Sequence, residues 1–198
     1  MSRIVIVSGG LGSPSSTRVL ADDIVERLRE QLADRGETLD VTVAELRELA
    51  HPIVDAMLTG FPTGDLAKVI DEVAAADALV VVSPTFSASM SGLFKSFFDI
   101  LEPDTLRGKP VLMAATGGTE RHSLMLEFAM RPLFSYLGAL PVRTAIFAAT
   151  SDFGGPGVAS LGRRVAAGAE ELADAIVGAP RKAKDDDFVD FATLLAAR

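Results

Sequence analysis

The sequence predicts a single α/β domain in which five parallel strands, in the order 2-1-3-4-5, are covered by helices on both faces. Three observations lead to this prediction: apolar runs without alternation, amphipathic segments of helical period, and strict alternation of the two along the chain. Continuous apolar runs are typical of strands that are covered on both faces, as strands of parallel sheets are. The alternation then requires crossover helices between successive strands.

Four apolar runs have the length of buried strands, and a fifth is weaker. The fifth run, Val41 to Val43, is more polar, as expected for an edge strand. The four stronger runs cover residues 4–7, 78–82, 111–115 and 145–149.

Helical periodicity separates these runs. Apolar residues recur every fourth position from Leu20 to Leu32, with charged residues between them, which predicts an amphipathic first helix. Similar patterns predict helices over residues 66–73, 93–101, 124–136 and 158–177. We expect the aromatic rings of Phe94, Phe97 and Phe98 to lie in the core or in a subunit interface.

We expect the folded domain to span residues 1–178. Gly178-Ala179-Pro180 ends the last helix, and residues 181–187 are a charged linker. Five apolar residues follow: Phe188, Val189, Phe191, Leu194 and Leu195. Because such a set is unusual in a solvated tail, residues 179–198 are expected to dock on the domain or on a second subunit.

Composition excludes several classes of function. The chain of 198 residues has a formal charge of −8, the wrong sign for attracting nucleic acid or anionic lipid. It has no cysteine, which excludes disulfides, thiolate metal sites and cysteine nucleophiles and fits a reducing cytoplasm. No apolar run approaches the ~20 residues that cross a bilayer, and the N-terminus lacks a secretory pattern. We therefore expect a cytoplasmic protein that binds neither membrane nor nucleic acid.

Ligands of open parallel sheets bind beyond the carboxyl ends of the strands, where the strand order reverses. Here the loops after the first, third and fourth strands meet at that point. Loop one, residues 8–18, combines glycines with hydroxyl side chains and precedes a helix N-terminus, a pattern that favours phosphate binding. It lacks the lysine of the triphosphate-binding motif and matches the dinucleotide fingerprint only in part. The polar residues of its second half are Ser13, Ser15, Ser16, Thr17 and Arg18, and one hydroxyl is needed simply as a helix cap.

The other two loops are suited to a planar heterocycle. Loop two, residues 83–92, contains Pro84, Thr85, Phe86 and Ser87, which either form a flat wall for a ring or leave Phe86 plugging the end of the sheet. Loop three, residues 114–122, places Thr116, Gly117, Gly118 and Thr119 where backbone N–H groups can meet carbonyl oxygens of a ring, although Gly-Gly is also a common turn and Thr119 a possible cap. His122 could face the same cleft, but a lone histidine is more often structural.

Other chemistries are disfavoured by missing motifs. His51 and His122 do not have the spacing of zinc ligands, so no metal site is predicted. The nucleophile elbow of serine hydrolases does not occur.

Together the three loops resemble the NAD(P)H-dependent FMN reductases of the flavodoxin-like superfamily, especially those that supply reduced FMN to two-component alkanesulfonate or luciferase-like monooxygenases. The resemblance runs from Ile4 to about Val177 and is strongest in residues 12–18, 83–95 and 116–122. It implies a flavodoxin-like sheet, FMN and NAD(P)H as cofactors, and a homodimer or homotetramer.

Carried over by position, the resemblance implies a contact for each loop. Ser13, Ser15, Ser16 and Thr17 would bind the FMN phosphate, with Arg18 adding charge. Residues 84–87 would contact the ribityl chain and one side of the ring, and residues 116–119 its pyrimidine edge. Because hydride passes directly from nicotinamide to flavin, no catalytic side chain is implied.

Three alternatives are compatible with the sequence. The first is a quinone, azo-dye or chromate reductase that keeps FMN bound, because fold does not select the electron acceptor. The second is a non-enzymatic flavodoxin-like electron carrier. Such carriers usually flank the flavin with aromatic residues, whereas this chain has no tryptophan and only one tyrosine, Tyr136. The third is a flavin-binding or interaction module without turnover.

Overall fold

A computed structural model describes residues 1–178. The main sheet is parallel and has the order β2-β1-β3-β5, with β6 and β7 pairing with opposite ends of β5 at the edge. Counting β7 as the fifth main strand, the predicted order 2-1-3-4-5 is confirmed; β4 and β6, of two residues each, are additional. The strands are β1 (Ser2–Ser8), β2 (Leu39–Glu45), β3 (Ala78–Phe86), β4 (Ser89–Met90), β5 (Pro110–Gly117), β6 (Leu140–Pro141) and β7 (Ile146–Ala149).

Helices connect these strands, largely as predicted. They are α1 (Ser16–Asp34), α2 (Ala50–Thr59), α3 (Gly64–Ala75), α4 (Gly92–Asp99), α5 (Arg131–Tyr136) and α6 (Val158–Gly178). Short 3₁₀ turns cover Leu46–Leu49, Glu120–His122, Thr150–Phe153 and Gly155–Gly157. Within the part of the chain that the structure describes, no helix is both long and apolar enough to traverse a bilayer.

Two differences from the predicted helices have physical reasons. Helix α2 was not predicted, because Val54, Met57 and Leu58 are exposed and blur its amphipathic pattern. The single helix predicted over residues 124–136 is divided into a π-helical segment, Leu126–Met130, and α5. A π-helical turn inserts one extra residue, which apolar spacing does not reveal.

Alternation along the strands divides the core in two. Val5 and Val7 of β1 pack on the face covered by α2, α3, α4 and α5, whereas Ile4 and Ile6 pack on the face covered by α1 and α6. The phenylalanines of α4 are fully buried on the first face, where the rings of Phe94 and Phe98 lie 6.3 and 4.9 Å from that of Phe134. Their expected place in the core is thereby confirmed. The division into a folded domain, residues 1–178, and a linker with a docking tail, residues 179–198, stays a prediction, because residues 179–198 lie outside the described residues.

Candidate functional site

The three loops singled out in the sequence follow β1, β3 and β5, which are neighbours in the sheet. Each pair of loops is in contact. The N–H of Gly9 donates to the carbonyl of Val82 at 2.8 Å, which ties loop one to β3 just ahead of loop two. The hydroxyls of Thr17 and Thr116 join the start of α1 to loop three. The structure therefore brings the predicted loops together at the carboxyl ends of β1, β3 and β5, as the strand order requires.

Loop one is shaped by two glycines that face crowded surroundings. A Cβ at Gly10 would lie 2.3 Å from the Ser15 hydroxyl, and one at Gly9 would lie 3.1 Å from Phe94. A side chain at Gly10 would displace the Ser15 hydroxyl, and one at Gly9 would require Phe94 to shift, so the backbone of loop one packs closely against its neighbours. Ser13 and Ser16 are exposed at the end of this loop.

Ser15 has the expected capping role at α1. Its hydroxyl accepts from the N–H of Arg18 at 3.3 Å. The two N–H groups before it, those of Ser16 and Thr17, have no carbonyl partner inside the helix, because the first N–H groups of any helix lack one. An anion placed at this end of α1 would meet these donors and the positive end of the helix dipole.

Thr17 is placed differently from the other hydroxyl residues of loop one. Its side chain is only 2% exposed, and its hydroxyl lies 3.0 Å from that of Thr116, which is 4% exposed. The pair joins the start of α1 to the end of β5 beneath the surface. A contact between Thr17 and a phosphate stays a prediction, and the observed bond adds a structural role.

Arg18 points its guanidinium at two carboxylates. Nε donates to Asp22 at 2.8 Å and Nη1 donates to Glu45 at 2.9 Å. These hydrogen bonds, that to Asp22 first, raise the pKa of Arg18 above its ordinary value. Its charge is therefore compensated by α1 and by the end of β2, and the hypothesis that it adds positive charge beside a phosphate finds no support in this geometry.

Loop two is partly a hairpin and less irregular than predicted. Strand β3 continues to Phe86 and pairs antiparallel with β4 through a two-residue turn. The turn residues Ser87 and Ala88 have φ of 47° and 65°, left-handed values that L residues other than asparagine and aspartate rarely adopt. Phe86 is 47% exposed at the tip, so the alternative that it plugs the end of the sheet is wrong. An exposed ring held on a strained turn is available to a planar ligand.

The hydroxyl of Thr85 is buried without a hydrogen-bond partner between loops two and three. A Cβ built on Gly117 would lie 3.4 Å from this hydroxyl and 2.8 Å from Cζ of Phe147. Unpaired buried hydroxyls are uncommon, because they lose their hydrogen bonds to water without replacement. This one lies at the site where sequence reasoning placed a ligand. A second such hydroxyl, that of Ser8 at the end of β1, was not predicted.

Loop three ends the buried strand β5 and then turns outward. Thr116 is buried, Gly117 is half-buried, and Gly118, Thr119 and His122 are exposed. The Thr119 side chain makes no capping hydrogen bond to the turn Glu120–His122, so the simple-cap alternative is wrong. His122 lies in that turn and not in a regular helix. Its contact with a ligand stays a prediction, as do those of residues 13, 15–18, 84–87 and 116–119.

Sequence reasoning missed a cavity beside loop three. It has a volume of about 470 Å³ and is lined by Glu120, Ser123, Leu126, Glu127, Ala145, Phe147, Asp152, Ser160 and Arg164. These residues come from three separate segments, 120–127, 145–152 and 160–164, so no single local motif could reveal the cavity. Among residues 1–178 no three potential ligands from His, Cys, Asp and Glu cluster as a metal site would require.

Comparison with known proteins agrees with this geometry. Residues 2–154 match the family model described as NADPH-dependent FMN reductase. The chain is 38% identical over 151 residues to an FMN reductase (NADPH) of Pseudomonas aeruginosa, covering 76% of this chain and 78% of that protein. It is also 38% identical over 151 residues to the NADH-dependent FMN reductase SfnF of Pseudomonas putida, and the match covers 76% of this chain and 79% of that protein.

Solved structures show the same fold. An oxidoreductase from Corynebacterium diphtheriae superposes with a TM-score of 0.88 and 47% identity, covering 91% of this chain and 99% of that one. The apo form of an NADH:FMN oxidoreductase, EMOB, superposes with a TM-score of 0.73 and 28% identity, covering 85% and 89%. The compared chains are thus similar over nearly the whole described domain.

Proposed function

Because this chain belongs to the NADPH-dependent FMN reductase family, we propose that it binds FMN at the three loops and supplies reduced flavin to a monooxygenase. The activity of the family is that of an NAD(P)H:flavin oxidoreductase, and this chain is an enzyme of that kind. We place the flavin there because loops one, two and three meet at the carboxyl ends of β1, β3 and β5.

The residues at these strand ends fit FMN chemically. Exposed Ser13 and Ser16 and the first-turn N–H groups of α1 suit a phosphate dianion. The Thr85 hydroxyl, buried without a partner, suits a hydroxyl or carbonyl of the ligand. The glycines of loop three suit a flat ring edge because no side chain keeps it from the backbone. The residues present therefore match a phosphate, a polyhydroxy chain and a planar ring in that spatial order.

The flavin supplies the chemistry when bound: it accepts a hydride from the dihydronicotinamide and a proton from solvent, leaving oxidised nicotinamide and two-electron-reduced flavin. The protein's contribution is orientation. Phe86 and Pro84 would hold one side of the ring, and the backbone of Gly117 and Gly118 its polar edge. The other side would stay open for the nicotinamide, with the two rings held in contact.

The test uses the purified full-length chain with NADH or NADPH and free FMN, under anaerobic conditions, following the absorbance of the dihydronicotinamide. We expect rapid oxidation with FMN in the absence of any quinone. Rapid oxidation with a quinone and none with FMN would favour the alternative reductase. A non-enzymatic carrier or a binding module would show no turnover with either acceptor.

The assembly and the cellular setting belong to the same proposal. Two exposed apolar groups support a homodimer or homotetramer: Met57, Leu58 and Phe61 around the end of α2, and Leu124, Phe128 and Tyr136 along the π segment and α5. A chain without cysteine suits the reducing cytoplasm. Light scattering during gel filtration should give a dimer or tetramer mass, and a monomer at micromolar concentration would contradict the assembly.

A further inference from the structure

The cavity of about 470 Å³ beside loop three is not part of the flavin contacts proposed above. It lies at the carboxyl ends of β5 and β7, one strand beyond the three loops. One part of its wall is apolar, with Leu126 and Phe147 both nearly fully buried, while Glu120 and Glu127 are exposed at its rim. A cavity of this size with an apolar wall and a few polar groups is typical of a small-molecule site.

The cavity and loop three share Phe147 as a neighbour. The ring of Phe147 lines the cavity, and its Cζ is 2.8 Å from the point where a Cβ of Gly117 would stand. The Thr85 hydroxyl is 3.4 Å from the same point. A molecule bound with one end at the flavin loops therefore has the cavity immediately beside it.

The cation in the cavity wall is not free for an anionic ligand. Arg164 donates to Asp152 at 3.0 Å and to the Phe147 carbonyl at 3.1 Å, while a second nitrogen donates to Ser160 at 2.8 Å. Asp152 in turn accepts from the N–H of Ala149. This half-buried pair is neutral overall, and both side chains have further hydrogen-bond partners.

The rim, by contrast, keeps negative charge. Hydrogen bonds from its own N–H and from Ser151 lower the pKa of Glu120. The salt bridges found among residues 1–178 include none to Glu120. Glu127 forms a salt bridge with Arg131, and the hydrogen bonds from Arg131 lower the pKa of Glu127. The negative charge of Glu127 is therefore partly compensated. The rim therefore has two ionised carboxylates near neutral pH, one of them uncompensated.

Resting on the reductase activity proposed above, we propose that this cavity binds the ribonucleoside end of the dinucleotide without a 2′-phosphate, so that the enzyme prefers NADH to NADPH. The apolar wall would take the base, and the rim carboxylates would accept hydrogen bonds from the ribose hydroxyls, as acidic residues do in other dinucleotide sites. A phosphate on that ribose would face like charge at the rim.

The kinetic test compares kcat/KM for NADH and NADPH, with saturating FMN, in the full-length protein and in Glu120→Gln, Glu127→Gln and the double variant. We expect the unmodified enzyme to prefer NADH about tenfold, and the double variant to lose most of that preference. Glu72→Gln is the matched control, since it removes one charge from an exposed position on α3, outside the cavity lining. Its preference should equal that of the unmodified enzyme.

A binding measurement gives a readout that does not depend on turnover. Calorimetry on the FMN-saturated protein should show tighter binding of ADP-ribose than of 2′-phospho-ADP-ribose, with the difference reduced by Glu120→Gln and unchanged by Glu72→Gln. Equal affinity for the two probes, no binding of either, or equal effects of the two variants would overturn the assignment of the cavity. If the probes show the expected preference but FMN is not reduced, the proposed function fails while the cavity assignment stands. If FMN is reduced with NADPH preferred, only the cavity assignment fails.

Discussion

The hydroxyls of Thr17 and Thr116 lie 3.0 Å apart, buried between the first turn of α1 and the end of β5. They join two loops that are separated by 99 positions in the chain. One loop is proposed to hold the phosphate of FMN and the other its ring edge. The distance between these two parts of the site is therefore set in part by one buried hydrogen bond.

Replacing either threonine by valine, which has the same shape, should destabilise the protein. Each single variant leaves one hydroxyl buried without a partner, which lowers the free energy of unfolding by ~1–3 kcal/mol. In Thr17→Val/Thr116→Val both polar groups are gone, so the loss should be smaller than the sum of the single losses. Urea unfolding of all four proteins measures this coupling, with Thr17→Ser as the control that keeps the hydroxyl. Strictly additive losses would show that the pair does not act as a unit.

Ser16→Ala should weaken binding of FMN by about tenfold and leave binding of riboflavin unchanged. Ser16 is exposed at the first position of α1, and a hydrogen bond to a charged group contributes more than one between neutral groups. Quenching of flavin fluorescence on titration with protein measures both affinities. Ser135→Ala, an exposed serine on α5, is the matched control. Equal loss for the two flavins would remove Ser16 from the phosphate site.

Gly117→Ala and Gly118→Ala should differ in stability although they are adjacent. A Cβ at Gly117 would lie 2.8 Å from the buried Phe147 ring, whereas at Gly118 it would meet no atom within 4 Å. Overpacking of this kind lowers the free energy of unfolding by ~1–3 kcal/mol, so Gly117→Ala should melt several degrees lower. Gly118→Ala should melt close to the unmodified protein, and a similar loss in both variants would contradict the observed packing. Flavin binding should weaken in both variants if the ring edge approaches this backbone.

Ala88→Gly should stabilise the domain. Ala88 has φ of 65°, in the left-handed region where glycine is not penalised by a Cβ. Relief of this strain should exceed the entropy lost on folding a glycine and raise the free energy of unfolding by about 1 kcal/mol. Ala67→Gly in the interior of α3 is the control, since there the same change should lower it by about 1 kcal/mol. Chemical unfolding of both variants checks the opposite signs, and a destabilised Ala88→Gly variant would show that the turn is not strained.

Stability should fall in acid partly because of Glu171 on α6. Burial raises the pKa of this carboxyl, but hydrogen bonds from the N–H and hydroxyl of Thr144 and from Arg143 outweigh it, and the pKa is lowered overall. A carboxyl whose pKa is lower in the folded state stabilises the protein. This stabilisation is fully present above the unfolded-state pKa of about 4.3 and is lost as the pH falls through the folded-state pKa.

Glu171→Gln should therefore lower the free energy of unfolding near neutral pH by about 1–2 kcal/mol, and the difference from the unmodified protein should narrow below about pH 4. Urea unfolding at several pH values measures this convergence. Glu170→Gln, an exposed neighbour on the same helix, is the control. A difference that stays constant with pH would mean that the charge of Glu171 is not what stabilises the fold.

The sequence by itself determined the main sheet, its strand order and the position of the three loops. The apolar runs and their alternation with helical segments predicted the sheet and its order, because a strand covered on both faces must be apolar at every position. The same order predicted that the loops after β1, β3 and β5 would meet. Two further features could be predicted because they depend on local residue type: the glycine and hydroxyl residues of loop one and the burial of the phenylalanines of α4.

The tertiary structure alone decided features that depend on residues distant in the chain. Whether Thr17 faces a ligand or Thr116, and whether Arg18 faces the loop or Asp22 and Glu45, depends on which side chains the packing of β2 and β5 brings near. The extension of β3 into a hairpin and the cavity between loop three and α6 have the same origin. A local pattern specifies which chemistry a residue can perform, whereas packing specifies which partner it meets.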